Sequence, residues 1–248
     1  MKILTVNNLS KVYGKKIIFN ALNDINFSIE DGEFVGIMGP SGSGKTTLLN
    51  MISTIDKPTT GTMELKGKNL LLLKGEELAL FRRRELGFVF QDFNLLDTLT
   101  IGENIVLPLT LDKVSVKEQD KRLNEVSEIL GIKDLLGKRT FEVSGGQAQR
   151  TAIARALINK PSILLADEPT GNLDSKSSKT VMELFQKINK ENKVTTMMVT
   201  HDPLAASYCS RILFIKDGAI YNEIYKGSSR EQFYQEIMDV LTLLGGDN

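Results

Sequence analysis

The sequence has little cysteine, histidine or tryptophan: it holds one cysteine, Cys209, one histidine, His201, and no tryptophan. A single cysteine excludes an internal disulfide and a cysteine-based metal cluster, and it fits a reducing compartment. Neither sign of charge is in excess, because 31 Lys and Arg residues balance 31 Asp and Glu residues. The basic field typical of nucleic-acid binding is therefore missing, and no nucleic acid is expected as a partner.

Long hydrophobic runs are also missing. No run approaches the ~18 to 20 apolar residues of a membrane-spanning helix, and the first residues lack the apolar stretch of a signal peptide. The expected location is therefore the cytoplasm, with any membrane role peripheral. What is present is a chain of 248 residues, 41% of them hydrophobic, which is enough for one α/β domain with a sizeable core.

The apolar runs and turn residues predict an α/β order of elements. Strands at 3–13 and 23–29, with turns at 14–16 and 20–23, are expected to form an antiparallel flap. Residues 91–160 have a mostly helical pattern, clearest at 116–131 and 145–159, and we interpret them as an inserted helical subdomain. The other predicted elements indicate a mostly parallel core sheet: strands at 33–38, 162–166, 194–199 and 211–216, and a helix at 175–189.

The tail, residues 228–244, predicts one more helix. Ser228 and Glu231 have the spacing of a capping box. Apolar residues recur at helical spacing, and packing onto the chain's own core is the expected role of such a stripe. Docking of a partner is the alternative. The stripe consists of Phe233, Ile237, Met238, Leu241 and Leu244.

A glycine-rich loop follows the predicted strand at 33–38. Residues 39–46 read Gly-Pro-Ser-Gly-Ser-Gly-Lys-Thr and match the P-loop pattern, with a helix pattern after them. Such a loop turns its N–H groups toward a polyphosphate and places the anion at a helix N-terminus. Lys45 is predicted to meet the β- and γ-phosphates and the Thr46 hydroxyl to ligate Mg²⁺, so ATP and Mg²⁺ are the expected cofactors.

Two acids close the apolar strand at 162–166. Asp167 is expected to hold Mg²⁺ through water, and Glu168 to orient or deprotonate the attacking water. A solvated pair of turn acids is the alternative, against which the preceding apolar strand and the P-loop weigh. His201 ends a second apolar strand, at 194–199, and is a further catalytic candidate, although a lone histidine is more often structural.

Taken together, these motifs resemble those of the ABC transporter ATPase family, in the family's order and over essentially the whole chain. Residues 143–147, Val-Ser-Gly-Gly-Gln, resemble its signature loop, where a serine and two glycines at a helix N-terminus form a second anion-binding nest. By the same resemblance Gln91 is the Q-loop glutamine, Asp174 lies in the D-loop at 172–174, His201 is the switch histidine, and Tyr13 stacks on adenine.

The resemblance implies a homodimer in which each signature loop closes on the γ-phosphate held by the opposite P-loop. The implied ATP-binding residues are Tyr13, Gly39, Pro40, Ser41, Gly42, Ser43, Gly44, Lys45, Thr46, Thr47, Gln91, Asp167 and His201. The implied catalytic residues are Lys45, Gln91, Glu168 and His201, and the implied Mg²⁺ ligands are Thr46, Gln91 and Asp167. The signature residues that would contact the ATP of the opposite subunit are Ser144, Gly145, Gly146 and Gln147.

The resemblance also implies how the chain is organised. Residues 1–248 are expected to form a single ABC ATPase domain, with residues 93–109 receiving an integral-membrane permease subunit. Within that domain, 1–91 and 160–227 are the catalytic core with its flap, 92–159 the helical subdomain with the signature loop, and 228–248 the C-terminal helix. Val143 and Ala148 depart from the family pattern, but neither removes a phosphate ligand, so only modest effects on closure are expected.

Residues outside the site narrow the resemblance. Segments 87–96, 167–174, 201–218 and 232–238 are similar to the macrolide and lipoprotein branch, and within it to bacitracin-type antimicrobial-peptide resistance transporters. That group implies two ATPase subunits on one permease at the inner face of the membrane, often with a sensor kinase. A macrolide- or lipoprotein-type system and a non-transport regulatory ATPase are the alternatives.

Rival readings outside transport meet specific difficulties. A GTP-binding switch usually carries Asn-Lys-x-Asp, and the run at 192–195 lacks the acid. Ribosomal ABC proteins carry two such domains in one chain, and DNA-repair members insert a long coiled coil, for which the interval between Lys45 and Ser144 leaves no room. A catalytically silent module would commonly have lost Glu168 or His201.

Overall fold

The computed structural model describes residues 1–14 and 17–245. The strands are β1 (Lys2–Tyr13), β2 (Phe19–Glu30), β3 (Phe34–Met38), β4 (Thr60–Leu65), β5 (Lys68–Asn69), β6 (Leu86–Val89), β7 (Ile163–Asp167), β8 (Thr196–Val199), β9 (Arg211–Lys216) and β10 (Ala219–Tyr225). The α-helices are α1 (Lys45–Ile52), α2 (Gly75–Glu85), α3 (Ile101–Leu111), α4 (Val116–Ile129), α5 (Gly145–Leu157), α6 (Ser175–Asn192), α7 (Pro203–Ala206) and α8 (Arg230–Gly245). Short 3₁₀ turns cover Leu70–Leu72, Lys133–Leu135 and Thr140–Glu142.

The central sheet has six strands in the order β10-β9-β3-β8-β7-β6. Every neighbouring pair is parallel except β10 and β9. Side chains alternate between two apolar clusters, so that Ile163 and Leu165 enter one cluster while Leu164 and Ala166 enter the other. A strand apolar on both faces is typical of a parallel sheet covered on both sides, and the predicted parallel core is confirmed.

The N-terminal flap is a separate antiparallel sheet, of order β2-β1-β4-β5. The predicted antiparallel flap is confirmed, but the predicted turn at 20–23 is wrong. Those residues lie inside β2, where Leu22 pairs with Lys11 and Asn20 with Val12. Burial of Leu22 and Ile25 outweighs the turn preference of Asn20 and Asn23, because shifts of register along the pair accommodate the polar residues. Of the other predicted turn, Lys15 and Lys16 lie outside the described residues.

Helices α3, α4 and α5 lie between β6 and β7 in the chain, as the helical pattern predicted. α3 begins with a complete capping box, in which the Thr100 hydroxyl accepts from the Glu103 N–H and the Glu103 carboxylate accepts from the Thr100 N–H. α5 packs against α3, α6 and β6, so the helix that follows the signature loop contacts the core sheet directly. The exact bounds of the helical subdomain stay a prediction.

The tail forms α8 and packs against α7 and β10 of its own chain, as expected. The predicted capping residue is wrong by one position: the Ser229 hydroxyl, not Ser228, accepts from the Gln232 N–H, at 3.1 Å. Val240 is buried in the stripe although it was not predicted, and Met238 is only partly buried. The buried residues of α8 belong to the same apolar cluster as Ala205 and Ala206 of α7.

Replacing Phe233 by alanine is expected to destabilise the chain by about 3 to 5 kcal/mol, because the ring is buried and its removal leaves a cavity beneath α8. The measurement is the free energy of unfolding from urea titration followed by circular dichroism. Glu236→Ala on the exposed face of the same helix is the matched control and should change that free energy by less than about 0.5 kcal/mol. Equal effects of the two substitutions would show that α8 does not pack as described.

Among the helices of residues 1–14 and 17–245, none combines the length and the apolar character needed to cross a membrane.

Candidate functional site

The predicted catalytic residues follow the carboxyl ends of neighbouring parallel strands. β8 lies between β3 and β7, and in this register Val199 pairs with Ile37 on one side and with Asp167 on the other. The P-loop follows β3, Glu168 follows β7, and His201 follows β8 by two residues. Because the three strands end at one edge of the sheet, the fold brings these side chains together, and this edge is where open α/β sheets bind ligands.

The P-loop requires glycine where it enters α1. Gly44, with φ of 104°, begins α1, and a Cβ at that position would lie 2.4 Å from the Ala21 carbonyl oxygen. Only glycine therefore fits there. The first N–H groups of α1 have no partner within the helix, so they are available to an anion at this end.

The Lys45 ammonium is held by its own loop, donating to the carbonyl oxygens of Gly39 at 2.9 Å and of Pro40 at 2.8 Å. Burial lowers its pKa, while the negative charges of Glu168 and Asp167 act in the opposite direction. Lys45 therefore lies within the electrostatic reach of both acids. The Ser43 hydroxyl beside it is buried and has no hydrogen-bond partner among the described residues.

Burial, together with the charge of Glu168, raises the pKa of Asp167, and the Lys45 ammonium partly offsets the rise. Two adjacent carboxylates in a partly buried position are costly without a cation. The oxygen-rich set of Thr46, Asp167 and Gln91 is the type of ligand that Mg²⁺ prefers. The residues present therefore fit a Mg²⁺ ion bound together with a triphosphate.

Glu168 has a left-handed backbone conformation, with φ of 46°, which is uncommon for a residue with a long side chain. Its N–H donates to the Val199 carbonyl at 2.9 Å, and its own carbonyl accepts from the Gly171 N–H at 2.9 Å. The Glu168 carboxylate lies 2.9 Å from Nδ1 of His201 and accepts from the His201 N–H at 3.3 Å. The predicted acid and histidine therefore form a contacting pair.

Gln91 does not contact this pair through its side chain. Its amide donates to the Asn172 Oδ1 at 3.3 Å, and Asn172 in turn donates to the Asp92 carboxylate at 2.7 Å. Asn172 was placed in the D-loop by sequence, but its contact with the Q-loop was not predicted. The structure thus links the loops that follow β6 and β7.

Ser144 caps α5 through a complete capping box with Gln147. The Ser144 N–H donates to the Gln147 side chain at 2.8 Å, and the Ser144 hydroxyl accepts from the Gln147 N–H at 3.4 Å. Ser144 and Gly145 are exposed, whereas Gly146 packs so tightly that a Cβ would lie 3.0 Å from the Ser177 side chain. The start of α5 therefore faces solvent at Ser144 and Gly145, and the predicted second anion site there stays a prediction.

Asp174 and Tyr13 have local contacts of their own. The Asp174 carboxylate caps α6, accepting from the N–H groups of Lys176 and Ser177 and from the Ser177 hydroxyl, and these hydrogen bonds lower its pKa. The Tyr13 hydroxyl donates to Asp56 at 2.7 Å, and the Lys11 ammonium lies 4.6 Å from the centre of the ring. Tyr13 is 38% exposed, and its stacking on adenine stays a prediction.

Known proteins are similar to this chain in sequence and in fold. The family described as ABC transporter matches residues 22–171, more than half of the chain. The ABC transporter ATP-binding protein YxdL of Bacillus subtilis strain 168 is 60% identical, over 99% of this chain and 95% of its own length. The bacitracin export ATP-binding protein BceA of Halalkalibacterium halodurans is 50% identical, over 99% of this chain and 98% of its own length.

One solved structure relates the fold to nucleotide. The ATP-binding cassette MJ0796, in a dimeric post-hydrolysis state bound to ADP and Pi, has a TM-score of 0.82 and 42% identity to this chain. The match covers 91% of this chain and all of that one. The predicted fold and family resemblance are confirmed, and the chain belongs to the ABC transporter family as one of its ATP-hydrolysing subunits.

Proposed function

We propose that two copies of this chain enclose two ATP molecules, each held by the P-loop of one copy and the signature loop of the other. One observation supports the proposal: the P-loop, Glu168 and His201 follow strands that end at one edge of the sheet, while Ser144, the proposed second phosphate contact, lies exposed at the start of α5. A second copy supplies that contact to the γ-phosphate. The dimeric state of the similar cassette MJ0796 supports this arrangement.

In the first step, ATP binds the P-loop and Lys45 changes its hydrogen-bond partners. The triphosphate takes the N–H groups at the start of α1, and Lys45 moves from the Gly39 and Pro40 carbonyls to the phosphates. Because the ammonium is partly desolvated, its attraction for phosphate charge is stronger than in bulk water. The partnerless Ser43 hydroxyl is a further donor available to the nucleotide.

Thr46, Asp167 and Gln91 would hold Mg²⁺. When bound, the ion would neutralise phosphate charge and would offset the repulsion between the Asp167 and Glu168 carboxylates. Gln91 would have to leave Asn172 to join this set, so nucleotide binding is expected to break the contact between the loops that follow β6 and β7.

Hydrolysis depends on Glu168 and His201. The carboxylate orients the attacking water and accepts its proton, and His201 fixes the position of the carboxylate through the 2.9 Å contact. The site is incomplete until Ser144, Gly145, Gly146 and Gln147 of the other copy reach the γ-phosphate, because phosphoryl transfer relies on positioning and charge stabilisation. Closure of the dimer is therefore the step that makes hydrolysis possible.

Closure of the dimer moves an integral-membrane permease subunit, which this chain contacts at the inner face of the membrane through residues 93–109. The 50% identity to a bacitracin export ATP-binding protein supports antimicrobial-peptide resistance as the process. A sensor kinase that reads transport through the permease completes the proposed assembly. In this proposal peptide choice lies in the permease.

Deleting the gene for this chain in its native host is expected to lower the inhibitory concentration of bacitracin several-fold. Wild-type chain should restore resistance and the Lys45→Ala variant should not, because the P-loop then lacks its phosphate cation. Replacing this chain by a relative's ATPase subunit should preserve which peptides are resisted. Unchanged resistance after deletion would exclude the peptide role, and loss of peptide-induced gene expression would indicate the sensor-kinase partner.

A further inference from the structure

Gln149 lies in the second turn of α5, and its amide reaches two loops at once. The side chain is fully buried. Its Nε2 donates to the Pro169 carbonyl oxygen at 2.6 Å and approaches the Phe90 carbonyl oxygen at 3.4 Å. An amide nitrogen carries two hydrogens, so one side chain serves both carbonyls.

These two carbonyls belong to residues adjoining the proposed catalytic machinery. Phe90 immediately precedes Gln91, and Pro169 immediately follows Glu168. The helix that carries Gln149 is the one that begins at the signature loop. A single buried amide thus connects the start of α5 with the loops that follow β6 and β7.

The two connections differ in importance. The loop after Gln91 has a second tether to the same helix, because Arg155 donates to the carbonyls of Phe93 at 2.8 Å and Asn94 at 2.5 Å. The Phe90 carbonyl also accepts from the Phe93 N–H. For the Pro169 carbonyl, by contrast, Gln149 is the only donor within the described part of the chain.

The hydrogen bond from Gln149 to the Pro169 carbonyl restrains the backbone next to Glu168. Glu168 has the left-handed conformation, which persists in a long side-chain residue only where the surroundings determine it strongly. Hydrogen bonds to Val199 and from Gly171 hold two groups of Glu168 itself, and Gln149 holds the next carbonyl. Loss of this hydrogen bond would free the segment that aims the Glu168 carboxylate.

The amide also carries an unusual feature for a purely structural residue. Its Oε1 is buried and has no hydrogen-bond partner among the described residues. A buried acceptor without a partner is unfavourable, so filling the space alone would be served better by an apolar side chain. The hydrogen bonds donated by the amide nitrogen are therefore the reason for a glutamine at this position.

We propose that Gln149 is a positioning residue that ties α5, the helix that begins at the signature loop, to the backbone next to Glu168. When the signature loop binds the ATP of the opposite subunit, this tie positions the Glu168 carboxylate in its own subunit. The inference rests on the proposed role of Glu168. It adds a direct mechanical link between the signature loop and the hydrolytic acid of the same subunit. Gln149 touches neither ATP nor water in this role.

The test is steady-state ATP turnover by the full chain carrying Gln149→Met, which keeps the length of the side chain and removes the donor. We expect kcat to fall about tenfold with KM within about twofold, because misplacement of a catalytic group affects the chemical step. Thr151→Val is the matched control, since it removes another buried polar group of the same helix. The Thr151 hydroxyl donates to the Gln147 carbonyl, one turn before it. The control should keep kcat within about twofold.

A double-mutant comparison separates positioning from general damage. In the Glu168→Gln background, Gln149→Met should add little to the loss of single-turnover rate, because residues that act through one another are not additive. Full additivity, or a wild-type kcat in folded Gln149→Met, would overturn the inference. If Glu168→Gln itself keeps turnover, the proposed function fails instead, whatever Gln149 does.

A second variant, Gln149→Glu, keeps size and polarity but turns an acceptor toward the Pro169 carbonyl. It should lower kcat at least as much as Gln149→Met, with circular dichroism confirming a folded chain. If neither variant folds while Thr151→Val does, Gln149 is a structural residue and the positioning role is wrong.

Discussion

The Glu168→Gln variant is expected to lose ATP turnover by at least about 100-fold while ATP now holds two copies together. The substitution keeps the shape of the side chain and an oxygen that accepts from His201, but it removes the basic carboxylate. It also removes a negative charge that raises the pKa of Asp167 and faces Lys45. Binding of the ATP anion should therefore be retained or strengthened, and the hydrolysis that would reopen the dimer is absent.

Turnover is measured by phosphate release, and association by size exclusion with and without ATP and Mg²⁺. Glu236→Gln on the exposed face of α8 makes the same chemical change away from the site and should behave as wild type in both assays. Undiminished phosphate release would remove Glu168 from the catalytic role. A variant that stops hydrolysing yet stays monomeric in ATP would mean that closure requires the permease.

The sequence was most informative where the chemistry depends on residues close together in the chain. The P-loop, the acid pair at Asp167 and Glu168, and the start of α5 are each a strand or loop joined directly to a helix or turn. Their local geometry is set by glycines, caps and an apolar strand, all visible in the sequence. The parallel order of β3, β8 and β7 then explains why His201 meets Glu168.

Elements without a periodic apolar pattern were missed. In α2, only Phe81 is buried, so most of the helix shows no stripe by which periodicity would reveal it. The misassigned turn at 20–23 has the same origin, since asparagines inside a strand carry the composition of a loop. In both segments tertiary packing of a few residues decides the structure.

Contacts between distant segments were beyond prediction for a different reason. Gln149 and Pro169 are twenty residues apart, and Asn172 and Asp92 are eighty apart. Pairing of a buried amide with one particular carbonyl depends on how α5 packs against the sheet, and no spacing rule encodes that packing. These contacts link the signature helix, the Q-loop and the loop after Glu168.

The Ser144→Arg variant is expected to bind ATP as a monomer but to lose both turnover and the ATP-held dimer. Ser144 is exposed at the start of α5, so an arginine side chain has room there on the free chain, and the substitution removes only the long, 3.4 Å capping hydrogen bond from the Gln147 N–H. In the dimer the same side chain would occupy the space where the opposite subunit's γ-phosphate meets the signature loop. Turnover should therefore fall to the level of Glu168→Gln, at least about 100-fold, since charge stabilisation of the transferred group is lost.

The decisive measurement combines this substitution with Glu168→Gln. Glu168→Gln alone should elute as a dimer in ATP, and the double variant as a monomer that still binds a fluorescent ATP analogue through its intact P-loop. Ser115→Arg is the control for an added arginine, because Ser115 is also an exposed serine at the start of a helix, although its side chain, unlike that of Ser144, makes no capping hydrogen bond. If the double variant still dimerises in ATP, the signature loop is not the surface that closes on the nucleotide. Loss of the dimer in the Ser115 control as well would instead indicate that arginine disturbs the helical region generally.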